Sequence, residues 1–213
     1  MHKLRVTVVL LIVLVLTIAG FSLINMKDNK SRQLVKAIEE GKTEEAIDII
    51  EKAELGELDM PAYNKITSRI LVRLDAGAGT YPIIAASWKG NLKVVEALIN
   101  KGVDVNAVSF ELENTALIEA LFSRADNRYK IALILIDNGA EVDHANIRGE
   151  KAIKFALMND EWLLETQELK EGRTQVIISI VEHSKELKEE ENYKKLIEEL
   201  KCLKDTDVLS QLE

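Results

Sequence analysis

One cysteine occurs in these 213 residues, Cys202, so no disulfide can form within the chain. A small scaffold held by disulfides is excluded, and the thiol is expected to pack inside a helix, with pairing to a second chain as the alternative. Proline is nearly absent, with two residues, and aromatics make up 5%. That composition suits a helical protein built from aliphatic side chains. A basic excess is also missing: Lys and Arg number 28 against 36 Asp and Glu, a formal net charge of −8. Nucleic-acid binding needs a cationic face to replace counterions, so that class is excluded. The acidity reads as a solvated surface. Three histidines, His2, His144 and His183, have no metal-ligand spacing, and no HExxH or GxSxG motif or Cys–His pair is present. No catalytic residue, metal or cofactor is therefore expected. A glycine turn at Asp75-Ala76-Gly77-Ala78-Gly79 has no following lysine and no preceding strand, so it is no phosphate loop. Hydrophobic residues at 47% rule out general disorder.

What is present is repetition. Residues 81–107 read YPIIAASWKGNLKVVEALINKGVDVNA, residues 115–144 echo them, and residues 151–184 echo them more loosely. A period of roughly 33 to 36 residues signals a stacked repeat protein. Gly90 to Gly102, Asn127 to Gly139 and Gly172 to Ser184 each span twelve residues, which predicts a constant outer-helix module. Within it Val94, Val95, Leu98 and Ile99 give one broad apolar face. Ala86, Ser87, Ala120 and Ala156 are small enough for two helices to approach closely. Gly102 and Gly139 end helices where a left-handed residue is needed, and Pro82 suits a first helical turn.

These residues resemble the ankyrin repeat. Tyr81-Pro82-Ile83-Ile84 and Thr115-Ala116-Leu117-Ile118 stand at the start of its signature, T-P-L-H-x-A-A. Gly102-Val103-Asp104-Val105-Asn106 and Gly139-Ala140-Glu141-Val142-Asp143 stand at its end. The resemblance implies an all-α solenoid of helix-turn-helix units joined by β-hairpin loops, spanning residues 31–184. Its parts are a degenerate unit at 31–54, an insert at 55–79, and repeats at 80–107, 114–144 and 150–184. A further insertion of about twelve residues, 160–171, is expected between the helices of the last repeat. A single capping helix over residues 185–213 is expected to close the array, with Leu187, Leu196, Ile197 and Leu200 on its apolar stripe.

Residues 6–25, VTVVLLIVLVLTIAGFSLIN, carry no charge. As a helix they would extend about 30 Å, the thickness of the hydrocarbon layer. Lys3 and Arg5 precede the run and favour a cytoplasmic amino end, while Lys27, Lys30 and Arg32 pull the other way. Two readings stand: a cleaved signal peptide, and an uncleaved transmembrane anchor over residues 1–26, which fits the length better. Either places the repeats outside the cytoplasm, in a bacterial periplasm, with the lipid bilayer as a partner of residues 6–25.

The resemblance implies a binding surface. In ankyrin proteins the two residues after the small pair tend to face the concave groove. Here they are Glu39-Glu40, Trp88-Lys89, Phe122-Ser123 and Met158-Asn159. Exposed aromatics and Met are typical interface anchors. The other possibility is that the inter-helix loops fold over Phe122 and Met158 and make them part of the core. Hairpin tips form a second candidate surface, with Glu111, Leu112 and Asn114 on one and Ile147, Arg148 and Glu150 on the next, and Phe110 packed beneath. The expected function is non-enzymatic: a monomer, membrane-tethered, that binds a protein partner through the groove. The alternatives are an immunity protein neutralising a secreted toxin, or an accessory to a stress-defence enzyme.

Overall fold

The computed structural model describes residues 29–62, 80–158, 166–203 and 205–212. The anchor-length run at 6–25 and the glycine turn lie outside them, as do Asn159, residues 63–79 of the first insertion and residues 160–165 of the second. Among the described residues the secondary structure is helical, and no helix is long and apolar enough to cross a membrane.

The helices come in antiparallel pairs. The first pair is α1 (Lys30–Glu39) and α2 (Thr43–Lys52), followed by one turn of helix, α3 (Leu55–Leu58). Then come α4 (Pro82–Trp88) with α5 (Leu92–Lys101), and α6 (Ala116–Phe122) with α7 (Arg128–Asp137). The next pair is α8 (Ala152–Leu157) with α9 (Gln167–His183), and the last is α10 (Glu190–Cys202) with α11 (Thr206–Leu212). Inner helices α1, α4, α6 and α8 stack in one row, and outer helices α2, α5, α7, α9 and α11 in a second.

Local chemistry sets these boundaries. Pro82 occupies the first turn of α4, and the Thr115 hydroxyl accepts from the Ile118 N–H to cap α6. The Asn91 side chain caps α5, and Gly102 (φ 88°) and Gly139 (φ 86°) follow outer helices in the left-handed conformation. Ala86, Ala120 and Ala156 are fully buried between helices. Gly90 is demanded twice: its φ is +67°, and a Cβ there would lie 2.2 Å from the Ala125 Cβ. One core of aliphatic side chains runs from Leu34 to Val208 without interruption, which is how units unable to bury their own faces become stable.

Polar clips join successive units. Asn106 Nδ2 donates to the Gly139 carbonyl (3.1 Å) while its Oδ1 accepts from Glu141 N–H (2.8 Å). Asp143 repeats this one unit on, accepting from Ser184 Oγ (2.5 Å) and from the N–H groups of Lys185 (2.8 Å) and Glu186 (3.4 Å). Burial alone would push the Asp143 carboxyl up. The hydrogen bonds from Ser184, Lys185 and Glu186 and the charge of Lys151 outweigh it, holding the group below its ordinary value. Asp59 does the same at the first interface, accepting from Asp104 N–H at 2.9 Å.

Several expectations change. The hairpin connections contain no strand among the described residues, only an isolated antiparallel bridge between Val108 and Thr115. The next connection is tied by the Asn146 side chain, whose Oδ1 accepts from Arg148 and Glu150 N–H. A side chain there replaces the ladder a strand pair would use. Residues 167–171, expected in the insertion, belong to α9, and Gly172 lies inside that helix instead of at a turn like Gly90. A Cβ on Gly172 would come within 3.1 Å of the Tyr129 Cβ, so the missing side chain lets α9 press against α7.

The single capping helix is in fact the pair α10 and α11. Asp205 separates them: its N–H bonds the Leu200 carbonyl, and its carboxylate accepts from Val208 N–H and pairs with Arg173, which is 4% exposed on α9. Arg173 Nε also donates to the Ala156 carbonyl (2.9 Å). Cys202, at the end of α10, is exposed instead of packed, because the buried stripe runs through Leu196 and Leu200.

Candidate partner-binding groove

The inner helices are short, and their C-terminal residues come into line. Trp88 ends α4, Phe122 ends α6, and Met158 follows α8. Each is far more open than a core side chain: 42% exposed for Trp88, 49% for Phe122 and 47% for Met158. The Trp88 and Phe122 rings lie 5.6 Å apart between centroids at a tilt of 39°. Phe122 in turn meets Phe155 edge-on at 5.5 Å. Phe155 is 9% exposed and anchors the row from beneath. Such tilted and edge-on pairs are favourable arrangements beyond simple burial.

Phe155 was not picked out by sequence. The register rule followed the slot at Trp88, Phe122 and Met158, whereas Phe155 sits one turn earlier, where α6 has Glu119. The signal that could have found it is the i, i+3 neighbourhood on one helix face, Phe155 with Met158 and Glu119 with Phe122.

Lys89 is exposed beside Trp88. Ser123, expected at the groove surface, is a correction: it is 5% exposed, and its hydroxyl donates to the Trp88 carbonyl (2.7 Å) while accepting from Ala125 N–H (3.1 Å). The helix-ending carbonyl of α4 needs a donor, and Ser123 supplies it, fixing the aromatic row from behind. At the other end of the groove Glu39 and Glu40 are exposed, and Glu40 pairs with Lys42 at 2.8 Å.

The loop tips divide similarly. Arg148 and Glu111 are exposed, as is Ile147 at 58%, while Leu112 is half-buried with its carbonyl accepting from Ile147 N–H (3.0 Å). Phe110, expected to be packed beneath, is 37% exposed. Asn114 is the second correction: it is 2% exposed, donating to Glu119 Oε1 (2.8 Å) and accepting from Asn146 Nδ2 (2.8 Å). A buried amide must satisfy both ends, and Asn114 does so by tying one connection to the next. Glu150 is half-buried and accepts from Lys154 Nζ (2.6 Å) and Asn146 Nδ2 (3.2 Å), bonds that hold its carboxyl below the ordinary range. His144 Nε2 contacts the Glu113 carbonyl (2.7 Å), which ties the same two connections together.

Among the described residues no group of His, Cys, Asp and Glu is arranged to hold a metal ion. What the geometry offers is an apolar, aromatic line on rigid helix ends, set beside polar loop tips. A model of ankyrin repeats in three copies matches residues 20–146, more than half of the chain, and the chain belongs to the ankyrin-repeat family. No curated protein matched it. Ankyrin-repeat domains are generally protein–protein interaction modules and are typically non-enzymatic.

Proposed function

We propose that this protein captures a protein partner on its concave groove, with Trp88, Phe122 and Met158 as the anchoring side chains and Lys89, Arg148 and Glu150 at the margins. One observation carries the reading: two aromatic residues, each more than two fifths exposed, pack against one another at a tilt and are held from behind by Ser123 and Phe155. Isolated exposed apolar residues are commonplace, but an ordered row of them marks an interaction site. Residues 6–25 anchor the chain in a bilayer as a single span, with the repeats outside the cytoplasm, and the protein acts as a monomer. The uncharged length of that segment and the basic residues before it support this placement.

The partner is found by cross-linking the full chain in membranes and identifying what is captured, with the chain's own N-terminus sequenced in the same sample. Trp88→Ala with Phe122→Ala should lose that partner by about 100-fold or more, since two anchors at about 2 kcal/mol each are removed. Helical content and melting should stay near wild type, because both side chains project outward. Capture of the same partner at equal strength by the double variant would sink the groove assignment.

A further inference from the structure

Glu119 is the one acidic residue on the inner helices α4, α6 and α8. It is half-buried, and among the described residues its carboxylate takes one hydrogen bond, the one Asn114 donates. No cation among the described residues pairs with it: Lys154 bonds Glu150, and Lys89 and Arg124 stand beyond the helix ends. Desolvation pushes its carboxyl above the ordinary value, and the Asn114 bond only partly offsets this. A carboxylate held out of water without a counter-charge is a standing cost.

Its position gives that cost a use. Glu119 and Phe122 lie one turn apart on α6, on the same helix face. Phe122 is flanked by Trp88 at 5.6 Å and by Phe155 at 5.5 Å. Open aromatic faces attract a cation through the negative face of the ring, and an adjacent carboxylate adds a direct charge. The chain's net charge of −8 would also draw a basic partner toward it.

Resting on the groove reading above, we propose that the groove recognises a lysine or arginine side chain of its protein partner, stacked on Trp88 and Phe122 and paired with Glu119. Glu119 thus supplies most of the selection for charge, beyond the weaker attraction of the aromatic row for a cation.

The test uses the full chain with Trp162→Phe, which leaves Trp88 as the only tryptophan. The Trp88 indole resonance is followed while end-blocked tripeptides with a central lysine, arginine, norleucine or glutamate are added. If that background does not fold, the wild-type indole resonances are assigned by comparison with Trp88→Phe. The lysine and arginine peptides should bind at least about tenfold more tightly than norleucine, the glutamate peptide most weakly, and added salt should shrink the gap. Glu119→Gln, which can still accept from Asn114, should cut the preference at least about threefold, to what the rings alone supply, while leaving the melting temperature no lower. Equal binding of lysine and norleucine, or a preference undiminished in Glu119→Gln, overturns the proposal. If those results come with loss of partner capture by the Trp88/Phe122 double variant, the groove stands and only the cationic ligand falls.

Discussion

Replacing Arg173 by alanine would remove a cation that is 4% exposed and bonded on three sides. Its Nε serves the Ala156 carbonyl at 2.9 Å, one Nη reaches the Leu157 carbonyl at 3.5 Å, and the other pairs with Asp205. Without it the Asp205 carboxylate, whose side chain is 10% exposed, is stranded between α10 and α11. Breaking one side of a buried pair costs about 3–5 kcal/mol, most of it from the uncompensated charge. Against a total stability on the order of 5–15 kcal/mol that is a large fraction. In a stacked array the loss falls first on the nearest interface, so α10 and α11 should open before the remaining pairs. Urea unfolding followed by circular dichroism measures the total, and hydrogen exchange over residues 190–212 locates it. The apolar pair Arg173→Met with Asp205→Leu should recover most of the loss, since neither charge then needs a partner. A single-variant cost below about 1 kcal/mol, or a double variant as unstable as the single, would refute the assignment of the pair as the fastener of the C-terminal helices.

Gly90→Ala combines a positive φ with a clash against Ala125 and should cost about 3 kcal/mol in chemical denaturation. Gly41→Ala has φ +72° but nothing within 4 Å, so only the conformational part, about 1 kcal/mol, should appear. Ser87 Oγ is fully buried without a hydrogen-bond partner among the described residues, and Ser87→Ala should raise stability by about 1 kcal/mol by the same measurement. Two carboxyls give opposite pH dependence. Asp143 titrates below 3.8 in the folded chain, so its contribution is present above 3.8 and lost as pH falls through the depressed value. Glu119 titrates above 4.5, so its contribution is full below 4.5 and lost as pH rises through the raised value. Melting temperatures across pH 2.5–7 for Asp143→Asn and Glu119→Gln, set against wild type, should show the acid-side loss shrinking in the first and the neutral-side loss shrinking in the second, with about 1 kcal/mol as the scale of each hydrogen bond involved.

Much of the architecture was legible because its determinants are local. Helix stops at Gly102 and Gly139, the first-turn proline Pro82 and the apolar spacing of Val94, Val95 and Leu98 all act within a turn or two of themselves. Asp59 was hidden because its partner, Asp104, is 45 residues away, and nothing near Asp59 in the chain announces the clip. The terminal pair was read as one helix because Asp205 gains its meaning from Arg173, 32 residues earlier. Gly172 looked like a turn glycine because spacing cannot distinguish a left-handed stop from a residue kept small so that Tyr129 can approach.

The candidate site divides along the same line. Which positions end the inner helices follows from sequence alone, since repeats place equivalent residues at equivalent points of a 3.6-residue helix. Trp88, Phe122 and Met158 could therefore be placed at those helix ends before their surroundings were known. Which of their neighbours face solvent was decided only by packing. Ser123 and Asn114 are buried because carbonyl and amide groups on the adjacent unit require partners there. Phe155 joins the aromatic row, and Glu119 is left without a cation among the described residues, for reasons that lie on neighbouring helices. The sequence determined the repeat, its helices and its family, because periodicity is written residue by residue. Only the tertiary structure decided which polar groups clip the units together and which rings stand open, because those depend on contacts between residues far apart in the chain.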